Sequence, residues 1–370
     1  MTEEIVRLRD EIARQDRALL ELLARRFELA AQVGRLKAER GQPVIVREVE
    51  QQVLLQAREH AESCGVTGGV MEAIFAAIIR GSVERQHRVG VELRRRGGRR
   101  VLVVGAAGAM GVWLRRFLTG IGHMVDGVDT AWAALPTQEG HFSSLAEVAD
   151  IEAYSAIVVA VSLEMTPQVL AEVGEIASGL PVIEIASIKS HLRAGLDGLA
   201  RLGAIPLSLH PMFGPGKSHY EPLTMVHAVL GDEDEERASV LDLFGHPYLD
   251  LVSVPFDRHD RLMGWLLGLA HLSGMLFGAA LGRSRLDPSE LGRVASTTFT
   301  RQSATSRSVL AHDPALYFAI QRLNPHRGEV YAALTAALGE LTGAVERGDR
   351  EAFAEAMERA ATAIPNLEAS

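Results

Sequence analysis

The run Val101–Val104 followed by Gly105-Ala-Ala-Gly108-Ala-Met-Gly111 constrains the fold more than any other stretch. Four consecutive apolar residues read as a strand buried on both faces, and the segment from Val112 to Gly122 (VWLRRFLTGIG) reads as a helix entered through a glycine turn. Such a unit belongs to a parallel sheet with helices on its faces. The glycines permit a tight bend and let phosphate oxygens approach the N–H groups at the helix start. Gly105, Ala106, Gly108, Met110 and Gly111 are therefore the candidate cofactor contacts, with Ala106 standing where the usual first glycine would be. The next strand, Met124 to Val128, ends in Asp129. A carboxylate there accepts the ribose hydroxyls of NAD and repels the extra phosphate of NADP, so NAD is the expected cofactor.

Ala156–Val161 and Pro181–Ala186 read as later parallel strands of the same doubly wound pattern. The second leads into Ala186-Ser-Ile-Lys189. A further apolar run, Ile205, Leu207 and Leu209, leads into His210 and the rigid loop Pro211-Met-Phe-Gly-Pro-Gly216. Ser187, Lys189 and His210, at successive strand ends, are expected to gather at one sheet edge beside the nicotinamide. His210 is the candidate base.

Ahead of this domain, Ile5, Leu8, Ile12, Leu19, Leu22, Leu23, Leu29, Val33 and Leu36 form the stripe of one long amphipathic helix, residues 3 to about 40, closed by the breaker Gly41-Gln-Pro43. Helices at about 47–64 and 69–87 follow. Three helices in about 90 residues cannot bury so long a stripe, which points to a second copy and a homodimer. Arg26 and Lys37, 11 residues apart, share a face about 16 Å long. Arg9 lies 17 residues from Arg26, about 25 Å along the axis, and joins that face only from an antiparallel partner helix. Ser82 and Gln86, at i and i+4, add two neutral hydrogen-bonding groups. The set suits a dicarboxylate with an uncharged oxygen.

Composition narrows the class. A formal net charge of −9 argues against a nucleic-acid partner, and the single cysteine, Cys64, forms no intrachain disulfide. The charged start MTEEIVRLRDE is unlike a signal peptide, so the expected compartment is the cytoplasm. No metal is expected. Leu262–Leu281 lacks charged side chains when His271 is neutral and is long enough to span a bilayer; its histidine, serine and glycines favour a buried helix instead. The basic stretch Arg94–Arg100 reads as a solvated linker.

The segment Leu8–Lys37 (LRDEIARQDRALLELLARRFELAAQVGRLK), with the following Pro43-Val44 and Glu-containing helix, resembles the all-helical chorismate mutases. The resemblance implies substrate contacts at Arg9 (from the partner chain), Arg26, Lys37, Glu50, Ser82 and Gln86, with Lys37 and Gln86 stabilising charge on the breaking ether oxygen. Val49 departs from the family pattern, which has arginine before that glutamate. The glycine turn, the Ala186–Lys189 motif and Leu209-His-Pro-Met-Phe-Gly-Pro215 together resemble prephenate dehydrogenase, and the whole chain resembles the bifunctional chorismate mutase/prephenate dehydrogenases of tyrosine biosynthesis. That resemblance implies His210 as base, Ser187 as its hydrogen-bonding partner, Lys189 as a nearby cation and His271 near the substrate. The family arginine falls at Ser308, five residues before Asp313-Pro314, which leaves Arg301 and Arg307 as alternatives.

The expected architecture is a helical mutase-like domain (1–90), a basic linker (91–99), a Rossmann-type α/β domain (100–255) and an all-α substrate and dimerisation domain (256–370). The expected function is conversion of chorismate to prephenate and its NAD-dependent oxidative decarboxylation. The alternative is a dehydrogenase of 4-amino-4-deoxyprephenate or arogenate, whose N-terminal unit is the matching mutase or a non-catalytic dimerisation or regulatory module.

Overall fold

Helix-forming side chains dominate the first 94 residues, and in the computed structural model, which describes residues 2–40, 47–94, 98–136, 138–246 and 248–365, they form three helices. These are α1 (Thr2–Glu39), α2 (Arg47–Ser63) and α3 (Gly68–Arg94), with α1 and α2 both packed on α3. The breaker at 41–43 lies outside the described residues, as do residues 95–97 of the basic stretch. The linker reading starts too early: α3 continues to Arg94, because Arg88-Val-Gly-Val-Glu-Leu-Arg94 holds enough good helix formers to carry the helix through its one glycine.

The apolar runs form the strands β1 (Arg100–Val104), β2 (Met124–Val128), β3 (His141–Phe142), β4 (Ala156–Val159), β5 (Pro181–Glu184), β6 (Ile205–Pro211), β7 (Leu223–Val229) and β8 (Leu249–Pro255). They build one sheet of order β3-β2-β1-β4-β5-β6-β7-β8. The pairs from β3 through β6 are parallel, whereas β6 and β7 are antiparallel. The sheet is thus mixed. Helices α4 (Ala109–Gly120), α5 (Thr166–Gly174), α6 (Arg193–Arg201) and α7 (Glu233–Phe244) lie among its strands in sequence, and Trp113, Leu114, Phe117 and Leu118 of α4 pack into its core with Val101 and Val103. Tyr248, just before β8, packs against Ile79 and Val83 of α3.

The remaining helices are α8 (Phe256–Met263), α9 (Ala270–Ser284), α10 (Pro288–Arg293), α11 (Thr297–Leu310), α12 (Pro314–Leu323), α13 (Arg327–Glu346) and α14 (Arg350–Ala363), with a π-helical segment, Gly264–Leu269, joining α8 to α9. Two compact units result. The first comprises Met1–Val161, Thr166–Ala186 and Gly195–Val254; the second comprises Ser162–Met165, Ser187–Ala194 and Pro255–Ser370.

The expectation that Leu262–Leu281 is a buried helix is corrected. Phe256–Ser284 is the one helical run among the described residues long and apolar enough to cross a membrane, and only 22% of its most apolar window is buried. Leu266 is 55% exposed and Leu276 46%. An isolated chain supplies too few apolar neighbours to cover this helix on every side. The same holds for α1, where Ile5, Leu8, Ile12, Leu19, Leu22 and Leu29 are all exposed.

Candidate active sites

The glycine turn has the geometry of a phosphate cradle. Gly105 has φ +84, a left-handed conformation that a side chain would strain, and its N–H donates to Val128 O at 2.8 Å. A Cβ on Gly111 would lie 2.0 Å from Gly105 O, so glycine there is what lets α4 start against the turn. Ala106 is fully buried, and a Cβ on Gly127 would lie 2.5 Å from the Ala106 methyl. Gly127 on β2 therefore makes room for the alanine that replaces the usual glycine. The N-cap residue Gly108 has no side chain to cap the helix start, so the first-turn N–H groups of Ala109, Met110 and Gly111 are not used by a local side-chain cap and suit an anion. Asp129 accepts from Ala107 N and Ala131 N, both at 2.9 Å, which fixes its carboxylate at the mouth of the turn.

Strands β1, β4, β5 and β6 run parallel, so their C-terminal ends share one edge. His210 sits there, 3% exposed, at the end of β6 and opposite Val226 of β7. The loop after it is tied down: Met212 N donates to Thr224 O at 3.0 Å, and Trp113 Nε1 donates to Lys217 O at 2.7 Å. The Trp113 ring lies 4.8 Å from Phe213 and 4.7 Å from His219. One tryptophan of the nucleotide-side helix thus sets the shape of the loop that begins at His210. Glu184, fully buried at the end of β5, accepts from Ala186 N at 2.7 Å and from the Ser208 hydroxyl. This carboxylate pins the ends of β5 and β6 together, and sequence reasoning passed over it.

In the second unit Ser187 is half-buried and Lys189 completely buried. The loop that carries them is held by Asp260, a residue that sequence reasoning also missed. Its carboxylate accepts from Lys189 N at 2.8 Å and Ser190 N at 2.7 Å, and pairs with His259 Nδ1 at 2.8 Å. Burial works against ionisation of Asp260, but these bonds outweigh it and bring the pKa down to about 2.

His271 on α9 is half-buried and stands edge-on to Tyr317, with ring centroids 4.4 Å apart. Burial, with His312 nearby, lowers its pKa and so favours the uncharged ring. Its Nδ1 is buried without a hydrogen-bond partner. Arg301 and Arg307 are both exposed on α11, which is one unbroken helix. Arg307 and Ser308 therefore face about 100° apart around α11. Arg307 instead lines a groove of about 760 Å³ with Phe277, Leu281, Phe299 and Leu310, and Arg301 points about 120° away from it around the helix.

Among the three N-terminal helices, Arg26 of α1 donates to the hydroxyl of Ser82 on α3 and to Ile78 O at 3.5 Å, while Ser82 donates to Ile78 O at 2.8 Å. Gly34 permits this close approach: a Cβ there would lie 2.6 Å from the Gln86 Cα. Gln86 and Lys37 are half-buried on facing helices, and Gln86 Oε1 is buried without a hydrogen-bond partner. Glu50 is half-buried on α2. Arg9 is exposed far along the continuous helix from Arg26, so one chain does not bring it to the others.

Residues 8–87 match the family model for chorismate mutase type II, and residues 255–359 match that for the prephenate dehydrogenase dimerization domain. The T-protein of Enterobacter agglomerans is 27% identical over 354 residues, covering 95% of this chain and 91% of that protein. A 4-amino-4-deoxyprephenate dehydrogenase of Streptomyces pristinaespiralis is 30% identical over 263 residues, covering 69% of this chain and 88% of that protein. Among solved structures, prephenate dehydrogenase from A. aeolicus superposes with a TM-score of 0.57 at 16% identity, covering 71% of this chain and 96% of that one, which shows the shared fold. With a mutase domain ahead of the sheet and a dehydrogenase dimerisation domain behind it, the chain belongs to the bifunctional chorismate mutase/prephenate dehydrogenase family.

Proposed function

We propose that one chain rearranges chorismate to prephenate at the helical site and oxidatively decarboxylates prephenate to 4-hydroxyphenylpyruvate at the sheet edge. The observation that carries the second half is His210, buried at the C-terminal edge of the sheet where the glycine turn also opens. At the helical site Arg26 and Arg9, the latter from a second copy, hold the carboxylates in a compact conformer. Lys37 and Gln86 donate to the ether oxygen as its bond to carbon breaks, and no base or nucleophile takes part. Glu50 and Ser82 complete the polar wall.

At the dehydrogenase site NAD, bound on the turn, supplies the hydride acceptor. Neutral His210 accepts the C4 hydroxyl proton as the C4 hydrogen departs, and the C1 carboxylate leaves as CO2 while the ring becomes aromatic. Ser187 hydrogen-bonds the substrate. Lys189 contributes positive charge, His271 bounds the substrate, and Arg301 or Arg307 meets a carboxylate. The enzyme works as a cytoplasmic homodimer in which the exposed faces of α1 and Phe256–Ser284 are covered by the second copy.

The turn supports NAD through Asp129. Asp129→Ser is expected to raise the NADP/NAD ratio of kcat/KM by roughly 10-fold or more, with some loss toward NAD because Ala107 N–H loses its acceptor. Steady-state rates with both cofactors check this. Gly111→Ala forces its Cβ against Gly105 O and is expected to weaken NAD binding by about 1–3 kcal/mol, measured by titration calorimetry, with mutase activity retained. The 30% identity to a dehydrogenase of an amino analogue makes substrate choice the decisive test of the whole reading. Prephenate, 4-amino-4-deoxyprephenate and L-arogenate are compared with NAD and NADP; prephenate with NAD is expected to give the highest kcat/KM, and a clear preference for another substrate overturns the assignment.

A further inference from the structure

The loop that leaves β5 carries Ser187 and Lys189 and turns at once into a short 3-10 segment, Ser190–Leu192. The first N–H groups of such a turn need acceptors, and a local side chain usually provides them. Here the side chain of the N-cap residue, Lys189, does not cap the turn. The acceptor comes instead from Asp260 on α8, about 70 residues later in the chain, which is 1% exposed. Both of its oxygens are in use: Oδ1 receives Lys189 N and pairs with His259 Nδ1, and Oδ2 receives Ser190 N. Asp260 is itself held, because Asn324 Nδ2 donates to its carbonyl at 2.7 Å and Asn324 is 3% exposed.

We propose that Asp260 is a positioning residue of the dehydrogenase, acting through the N–H groups of Lys189 and Ser190 to fix the loop that presents Ser187 and Lys189. The inference rests on the dehydrogenase reading above. The demand is for a carboxylate: an asparagine has one acceptor oxygen, and its NH2 would face an N–H or the His259 ring, so at least one backbone bond is lost. His259, fully buried, fixes which way the carboxylate faces. A loop released in this way shifts by a fraction of an ångström to about 1 Å, which is enough to cost roughly 100-fold in a step that depends on alignment.

The test is the full-length Asp260→Asn enzyme. The mutase residues all lie in the other compact unit, so chorismate turnover serves as an internal reference for the amount of enzyme. Expected are a fall in dehydrogenase kcat of roughly 100-fold, a KM for NAD within about 3-fold of wild type, and a larger deuterium isotope effect with C4-deuterated prephenate as the chemical step becomes limiting. Retained mutase activity with a dehydrogenase kcat within about 3-fold of wild type overturns the proposal. If Asp260→Asn also melts the helical unit, Asn324→Ala decides. It frees the Asp260 carbonyl and leaves the carboxylate in place; a smaller fall in kcat with the raised isotope effect supports the role, and an unchanged kcat contradicts it. A wild-type enzyme that makes no NADH from prephenate would instead overturn the dehydrogenase reading itself.

Discussion

Replacing His210 by asparagine is expected to lower prephenate-dependent NADH production by roughly 10²–10⁴-fold while chorismate turnover stays at the wild-type rate. The size of the effect follows from the role. His210 is 3% exposed at the end of β6, and its surroundings are held by Glu184 beneath the strand ends and by Trp113 against the following loop. Asparagine preserves a polar group of similar reach but has no basic nitrogen to take the hydroxyl proton. Binding of NAD is expected to change little, since the glycine turn follows β1 and Asp129 follows β2, with β4 and β5 between them and β6. Steady-state assays of both activities on the same preparation check the separation.

Arg26→Ala is expected to have the complementary effect, lowering chorismate turnover by about 10²–10³-fold with the dehydrogenase intact. The guanidinium spans α1 and α3 through Ser82 and Ile78, and its burial already lowers its pKa. Without it Ser82 keeps its bond to Ile78 O within α3, and α1 stays packed on α3 through the close approaches of Gly34 to Gln86 and of Gly81 to Phe27, while the site loses the cation that faces a dianion. Arg26→Lys is expected to recover little, because an ammonium lacks the planar fork that addresses Ser82 and a carboxylate together. Loss of chorismate followed without NAD measures this directly.

The parts legible in the sequence were those written in short range. The strand, glycine turn and helix at 101–122 could be read because each residue's job depends on its neighbours in the chain, and the same is true of the stripe on α1 and of the histidine between an apolar run and a proline-glycine loop. What escaped was written across distance. Ala106 looked like a defect in the turn until Gly127, 21 residues later, was seen to make space for its methyl. Glu184 and Asp260 look like ordinary acids in sequence, and their burial beneath strand and loop depends on pairings 24 and about 70 residues apart. The antiparallel β7 was missed because a short apolar run carries no sign of its direction. The apolar run 262–281 was read as buried because composition records a need for cover without saying whether the same chain or another copy provides it. For the ring-carboxylate arginine, the unbroken α11 sets Arg301 and Arg307 about 120° apart around the helix, as distinct candidates.

The most direct measurement adds chorismate to the purified chain without a cofactor, follows its absorbance to completion, and then adds NAD. The expected result is loss of chorismate before NAD is present, followed by NADH in an amount equimolar with the chorismate consumed. Chorismate that persists until NAD is added, or that disappears and yields no NADH afterwards, contradicts the conclusion that one chain carries both reactions.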